Sequence, residues 1–481
     1  MKLRFVVALF GTLSLSTLAV ADDVLVRYVN VNNYDPNSTS YGSKEGCDGT
    51  TYEKGFGTLA RATRFGVDNP NSRILVGPGV YDQAVFGADT PSRCQVRSGM
   101  IFESIEGPEK TIIVGGKSTA DDRDFNGNGA GAVWCVRMAS GGILRGFTIT
   151  GGHTQNSNVS TIGYGGAVWA KDLRDVRIEN CIITNNTSAQ SVIYCGQYVN
   201  CVIKDNYSSS RHIAENVALV NCLVTDNTAQ RAVSGAYLTL NSTFGPFTQI
   251  TDSAVQPTCG YGSPTGPIVN SIFITRPDSL KSNTYIWMTN CFYISKAPHG
   301  QHEYNCRQFS SVAEMGLDVN YRPLKDGSAV GFASNDAYNT YAAGVNFTLD
   351  GVPRILNGNI DVGAYEYNWC EDFEAALGPD TIVTNVSAEV TLDKAGNVVV
   401  PAGASIMGYM KENKGNARCV LNADPGIMGV LYPANRPKIA VSGSVIKEFS
   451  YGPLGFALTA EYDTVVGNFK RMPIGFTFTV K

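Results

Sequence analysis

Along the middle of the chain, polar and apolar positions recur in one arrangement: an asparagine, a small residue, then a short apolar run. It occurs at Asn180-Cys181-Ile182-Ile183, Asn200-Cys201-Val202-Ile203 and Asn221-Cys222-Leu223-Val224. It returns at Asn241-Ser242-Thr243-Phe244, Asn270-Ser271-Ile272-Phe273 and Asn290-Cys291-Phe292-Tyr293. The spacing is about 20 residues, with one longer gap, and Gly146-Phe147-Thr148-Ile149 takes the same place in an earlier unit. Each unit holds several strand-length runs between turn residues and is too small to bury an apolar face alone, so it must stack on its neighbours. The pattern predicts an all-β solenoid, a right-handed parallel β-helix, with equivalent residues superposed as ladders about 4.8 Å apart. Asparagine suits the turn because it tolerates left-handed backbone angles, and its amide can hydrogen-bond to the next coil.

Alternation within the strands sets Cys181, Cys201, Cys222 and Cys291 inward with Ile183, Ile203, Val224 and Tyr293. Although twelve cysteines fit an oxidising compartment, parallel stacked neighbours suit disulfide geometry poorly, so these four read as small buried thiols. Cys47, Cys94, Cys135, Cys195, Cys259, Cys306, Cys370 and Cys419 are freer to pair. The outward positions are Thr148, Thr150, Ile182, Thr184, Val202, Lys204, Leu223, Thr225 and Thr243. That face is mostly threonine and aliphatic.

A solenoid needs capped ends. Apolar residues at helical spacing predict an N-terminal capping helix over Phe56 to Phe65, with Leu59, Ala62 and Phe65 on its buried side. Before it, Lys2 and Arg4, an uncharged run from Phe5 to about Val20, and Ala19-Val20-Ala21 read as a signal peptide over residues 1–21. The expected product is extracytoplasmic, secreted or at the cell surface, monomeric, and without a membrane span after cleavage. The repeat stops after Trp369-Cys370, so the β-helix with its cap is assigned to residues 22–369. Short alternating runs follow, and residues 370–481 are read as a small β-sandwich. A formal charge of −4 without a basic stripe argues against nucleic acid as partner.

The stretches Gly57-Thr58-Leu59, Gly77-Pro78-Gly79-Val80-Tyr81, Gly146 to Gly152 and Gly165-Gly166-Ala167-Val168 resemble secreted bacterial β-helix proteins of the pectin-lyase-like superfamily. The closing stretch Leu349-Asp350-Gly351-Val352-Pro353-Arg354 with Asp361-Val362-Gly363-Ala364-Tyr365-Glu366 resembles the terminal motif of its choice-of-anchor Q group. The resemblance covers about residues 24 to 368. It implies a polysaccharide or cell-surface glycan as partner, with a polyuronate among the candidates, and, if the chain is an enzyme, a polysaccharide lyase or glycoside hydrolase. The alternative is a non-catalytic, adhesive surface protein. A lyase of this kind would use a Lys or Arg base with calcium-binding carboxylates, and a hydrolase needs two carboxylates a few ångströms apart.

Neither constellation stands out on the outward positions. Lys204 is their one cation, Asp205 and Asp226 fall at the turns, and Gly151-Gly152-His153-Thr154 lacks the polygalacturonase signature. Arg354, Asp361 and Glu366 read as an ion pair sealing the last coil. The remaining catalytic candidates are Arg211, His212 and Glu215, placed beside Lys204 in the stack, with a solvated turn as their plain reading. Trp134, Trp169, Tyr198 and Tyr207 are candidates for stacking on sugar rings; Trp134, Trp169 and Tyr194 also fit an aromatic ladder. Asp122, Asp124, Asn126 and Asn128 place oxygens at alternate positions, as in the first half of a calcium loop, but Val133 stands where the closing glutamate would be. Calcium is the one cofactor these residues suggest.

Overall fold

The computed structural model describes residues 24–367 apart from 88–90, 122, 157–161, 171–172, 251–254, 257–260, 263–265, 275–285, 295–300, 343–344, 346–347, 351–353 and 355–359; beyond residue 390 it describes strand backbones only. The signal-peptide expectation therefore lies outside the described residues, as do Asp122, Cys259, Cys370 and the Cys419 side chain.

The strands stack in parallel, and the chain is a parallel β-helix. A sixteen-stranded sheet bends where Cys195 (φ 63°), Asn216 (φ 57°) and Gly235 (φ 66°) turn through the left-handed region, and so supplies two faces. The first face stacks Ser92–Val96, Trp134–Met138, Val168–Trp169, the opening halves of Ile193–Val199 and His212–Val220, and Arg231–Ser234. The second runs from Val26–Val29 through Arg73–Val76, Ile101–Ser104, Ile143–Arg145 and Arg177–Glu179 to Gln301–Tyr304. A ten-stranded sheet from Gly79–Tyr81 to Arg307–Phe309 is the third face, and Thr187–Ser188, Tyr207–Ser208, Asn227–Ala229 and Phe247–Ile250 close the coil.

The asparagine repeat marks the corner between the second and third faces. Asn180, Asn200, Asn221, Asn241, Asn270, Asn290 and Asn305 all take φ between 45° and 53°. Side-chain branching makes that region costly, and asparagine offsets the cost by bonding locally. Their amides run along the axis: Asn270 donates to Asn241 (3.1 Å), Asn290 to Asn270 (3.2 Å) and Asn305 to Asn290 (2.8 Å). A second asparagine ladder is buried inside the next corner. The Asn206 carboxamide oxygen accepts from both the main-chain and side-chain nitrogens of Asn186, each at 3.0 Å, and Asn227 does the same for Asn206.

The inward assignments hold. Cys181, Cys201, Cys222, Cys291, Ile183, Ile203, Val224 and Tyr293 are buried. The described cysteines are all thiols, Cys47, Cys94, Cys135, Cys195 and Cys306 included. Burial pushes the Cys94 and Cys201 thiols well above their usual range, as expected for groups that fill a core.

The N-terminal helix spans Leu59–Asp68, three residues later than its apolar spacing predicts, because Thr58 caps it by accepting from Arg61 N–H at 3.1 Å. Leu59, Ala62 and Thr63 are buried. Thr63 acts as a substitute strand at the open edge of the first face: its hydroxyl accepts from Gln95 N–H (2.9 Å) and donates to Gln95 C=O (3.1 Å).

After the last coil the chain folds back along the solenoid's flank. The helix Asn335–Tyr341, capped by Ser334, places Tyr338 against Val199, Val220, Leu240 and Val269, one outward column of the second face. In earlier coils the same column is Glu103, Arg145 and Glu179, which form ion pairs along it. On the third face Met315, Leu317 and Val362 cover Ile272 and Phe292, while Ala364 and Tyr365 cover Leu223. Leu223, Thr225 and Thr243, expected to be exposed, are therefore buried. Alternation correctly says which side of the strand they occupy; a segment more than a hundred positions away decides that this side is dry.

Arg354 pairs with a carboxylate, as its spacing suggests, but it clasps this returning segment to itself rather than sealing the last coil. Its Nε lies 3.2 Å from Glu366 Oε1, and its Nη2 donates to Asp361 C=O (2.8 Å) and Gly363 C=O (2.7 Å). The segment is tied to mid-solenoid corners by Asn241 Nδ2 donating to Asp361 C=O (3.0 Å) and Gly363 N–H donating to Asn270 C=O (2.9 Å).

Past residue 390, strands pair in a four-stranded and a six-stranded sheet, with mostly antiparallel neighbours.

Candidate functional site

The first face sets aromatic rings and guanidinium groups side by side, with Arg137, Trp169 and Arg211 at least partly exposed and Tyr164 and Tyr194 buried beneath them. Its inward column is Val136, Val168, Ile193 and Ala214, all buried. The next residue in each strand points out, and these stack in register as Arg137, Trp169, Tyr194, Glu215 and Ser234. A second outward column across the corner carries His212 over Arg231.

Stacking brings the groups into contact. The Arg137 guanidinium carbon lies 3.7 Å from the Trp169 ring centroid and 5.9 Å from that of Trp134. Tyr164 lies 4.9 Å from Tyr194, centroid to centroid, with Arg211 at 5.6 Å over the Tyr164 ring. Glu215 takes the Ser191 hydroxyl on one oxygen and stands 4.0 Å from Arg211 Nη1 with the other. Burial brings the Arg137 guanidinium down to about 10, with no carboxylate among the described residues to offset it.

His212 is buried, not part of a solvated turn, and burial with the nearby charges of Arg231 and Arg211 holds its pKa down at about 3. Between about pH 6.5 and about pH 3 the unfolded chain therefore binds a proton here that the folded chain refuses, and stability falls as pH drops through that window. His212→Gln is expected to flatten this part of the curve, read as urea midpoints at about pH 7 and about pH 4; an unchanged slope would show that His212 contributes nothing to it.

The other sequence candidates disperse. Lys204 is on the third face, beside Asp205 at 3.7 Å, and not with Arg211, His212 and Glu215 on the first; the closing strand Tyr207–Ser208 lies between them in the chain. Trp134 and Tyr198 are fully buried, so neither presents a ring to a sugar. The Trp134 indole N–H donates to Tyr164 C=O at 2.9 Å, and Tyr198 belongs to the core. Trp169 stays half-exposed in the first-face ladder, while Tyr207 is half-exposed on the closing strand. Trp169 and Tyr194 do stack, but Trp134 sits three residues before Arg137 and off that column.

At the proposed calcium loop, Asp124 accepts from the main chain of Asn126 (2.9 Å) and Asn128 (2.8 Å) and from the Asn128 carboxamide (2.9 Å). The buried Asn128 oxygen accepts from Thr154 (3.2 Å from its N–H). The Asp124 and Asn128 oxygens thus hold the turn itself. Among the described residues no three His, Cys, Asp or Glu side chains gather into a metal set.

The signal that sequence reasoning missed is Arg137. It precedes Trp169 by one coil, but two successive inward residues at the corner, Val192-Ile193 and Ile213-Ala214, break the alternation that would have revealed the column.

No family model and no curated protein matches the chain. Among solved structures, a pectin methylesterase from Aspergillus niger is 11% identical with a TM-score of 0.30, over 67% of this chain and 95% of that one. An Acinetobacter phage tailspike protein is 10% identical with a TM-score of 0.24, over 92% of this chain and 87% of that one. The fold stands on strand register and not on these likenesses. No helix among the described residues is long and apolar enough to cross a membrane.

Proposed function

We propose that the protein is an extracytoplasmic β-helix that binds a glycan on its first face and does not cleave it. The observation that carries this reading is the half-exposed Trp169 with Arg137 over its ring and the exposed Arg211 on the same face, a ring and hydrogen-bond donors suited to a sugar chain and backed by the buried rings of Tyr194 and Tyr164. Cleavage is disfavoured because the outward carboxylates are already engaged. Glu103 and Glu179 are matched by Arg73, Arg145 and Arg177, and Glu215 by Ser191 and Arg211. Lys204, the base a lyase would need on the third face, stands among threonines and aliphatics. Calcium has no part in this reading, since the Asp124 carboxylate serves its own turn. Export is read from the N-terminal sequence pattern, and the paired strands beyond residue 390 are read as the expected β-sandwich.

The test is incubation of the protein with a panel of acidic and neutral polysaccharides, with and without calcium. Retardation in affinity gels without new reducing ends or unsaturated products is expected. Turnover of any substrate, or retention by none, would overturn the reading.

A further inference from the structure

We infer that Cys306 and Cys291, stacked in the last two coils of the solenoid, form a thiol-modification site that exchanges with a low-molecular-weight disulfide and closes into a bond joining those coils. The site is independent of what the first face binds.

It follows from where the corner column ends. The residue after each corner asparagine is cysteine or serine, and its side chain donates to the carbonyl two residues earlier. Cys201 donates to Val199 (3.4 Å), Ser242 to Leu240 (3.0 Å), Ser271 to Val269 (2.9 Å) and Cys291 to Thr289 (3.2 Å). Within the solenoid this is a packing role, since Cys181, Cys201 and Cys222 are buried and shielded from reagents in the folded chain. Cys306 ends the column and is half-exposed. Its coil is the last in both sheets among the described residues. The inward columns that hold Met288 and Tyr293 continue there as Glu303 and Gln308, both exposed, so water reaches this end of the column.

The pair is already aligned. Phe292 is in register with Arg307, which sets Cys291 over Cys306. The Cys291 N–H donates to Cys306 Sγ at 3.4 Å. The Cys291 thiol, also turned toward Cys306, holds the Cys306 thiol below its usual range, whereas burial pushes Cys291 up. The more exposed thiol is thus the nucleophile and the buried one the resolving group. An interstrand spacing of about 4.8 Å lies within the Cα separation a disulfide spans, but the parallel Cβ atoms must close to about 3.8 Å. Mid-solenoid cysteines are held by coils on both sides. The Cys306 coil is paired on one side among the described residues and can tilt toward its neighbour.

The exchange balances with the small disulfide as its oxidant. The Cys306 thiolate attacks one sulfur, the S–S bond breaks, and the first thiolate leaves and takes up the proton Cys306 gave up. The Cys291 thiol then attacks the Cys306 sulfur, expels the second thiolate and passes its proton to it. The protein loses two electrons and two protons, and the small disulfide gains them.

The test is incubation of the folded, reduced full-length protein with oxidised glutathione, then unfolding, alkylation of the remaining thiols, tryptic digestion and mass mapping. Lys296 lies between the two cysteines, so their peptides stay joined only through a disulfide. A Cys291–Cys306 link is expected, with Cys306 modified at least about tenfold faster than Cys181, Cys201 or Cys222. Cys291→Ser should stop the reaction at a glutathione adduct on Cys306, Cys306→Ser should abolish both products, and Cys47→Ser should change neither. The serine variants should fold, because Ser242 and Ser271 already fill this column; the wild-type map decides the question without them. Cys306 left reduced, joined to Cys259, Cys370 or Cys419, or modified no faster than the three buried thiols would overturn the inference.

Discussion

Replacing Arg354 with methionine is expected to cost about 3–5 kcal/mol of stability, the range seen when one partner of a buried ion pair is removed. Arg354 is fully buried, 5.6 Å over the Tyr338 ring, and reaches Glu366 and the carbonyls of Asp361 and Gly363 at once. Glu366 accepts from Asp361 N–H at 3.0 and 2.9 Å, while the Asp361 carboxylate accepts from Gly331 N–H at 2.6 Å. Burial already drives the Glu366 carboxyl well above the usual range, with the Arg354 charge opposing that rise. Methionine fills much of the volume but leaves two carbonyls and an acid without their donor. Because the clasp holds the returning segment, that segment should open first. Limited proteolysis should cut between about residues 310 and 367 of the variant under conditions where wild type resists, alongside a lower urea midpoint. A variant within about 1 kcal/mol of wild type would mean that apolar packing under Tyr338 and Val362 holds the segment without the clasp.

The second large effect is expected at Asn206. Its carboxamide nitrogen donates to Ile183 C=O and Lys204 C=O, both at 2.9 Å, and its oxygen receives two bonds from Asn186. Asn206→Ala removes these and leaves the Asn186 main-chain N–H without an acceptor inside the corner. At about 1–3 kcal/mol for each buried polar group left unsatisfied, a loss of at least about 3 kcal/mol follows, measured by urea unfolding. Asn200→Gly at the outer corner should cost far less, since glycine accepts the φ of 52° and the lost amide bond lies nearer solvent. Similar losses at the two positions would contradict the distinction between the buried ladder and the outer one.

The contrast between those asparagines explains much of what could be read from the sequence. Where a residue answers to local geometry, the chain announces it: the left-handed corner selects asparagine from Asn180 to Asn305, and the narrow core selects cysteine after it. Thr58 and Leu59 likewise mark the capping helix, though its apolar spacing alone sets the boundary early. What stayed hidden depends on distant chain. Leu223, Ile272 and Phe292 look like outward apolar residues until Tyr365, Val362 and Met315 are seen on top of them. The candidate site was half legible. Trp169, Arg211, His212 and Glu215 could be singled out by residue type, but Lys204, Trp134 and Tyr198 belong elsewhere. Arg137 could not be placed beside Trp169 without knowing that the chain returns one coil later in register.

The central claim is that the first face, and not the threonine-rich third face, meets the ligand. A crystal structure of the protein grown with an oligosaccharide of a polymer it retains in affinity gels tests it most directly. An intact chain on the first face, with sugar beside Arg137 and Trp169, is the expected result. Sugar seated at Lys204 on the third face, or cleaved products on any face, would contradict it.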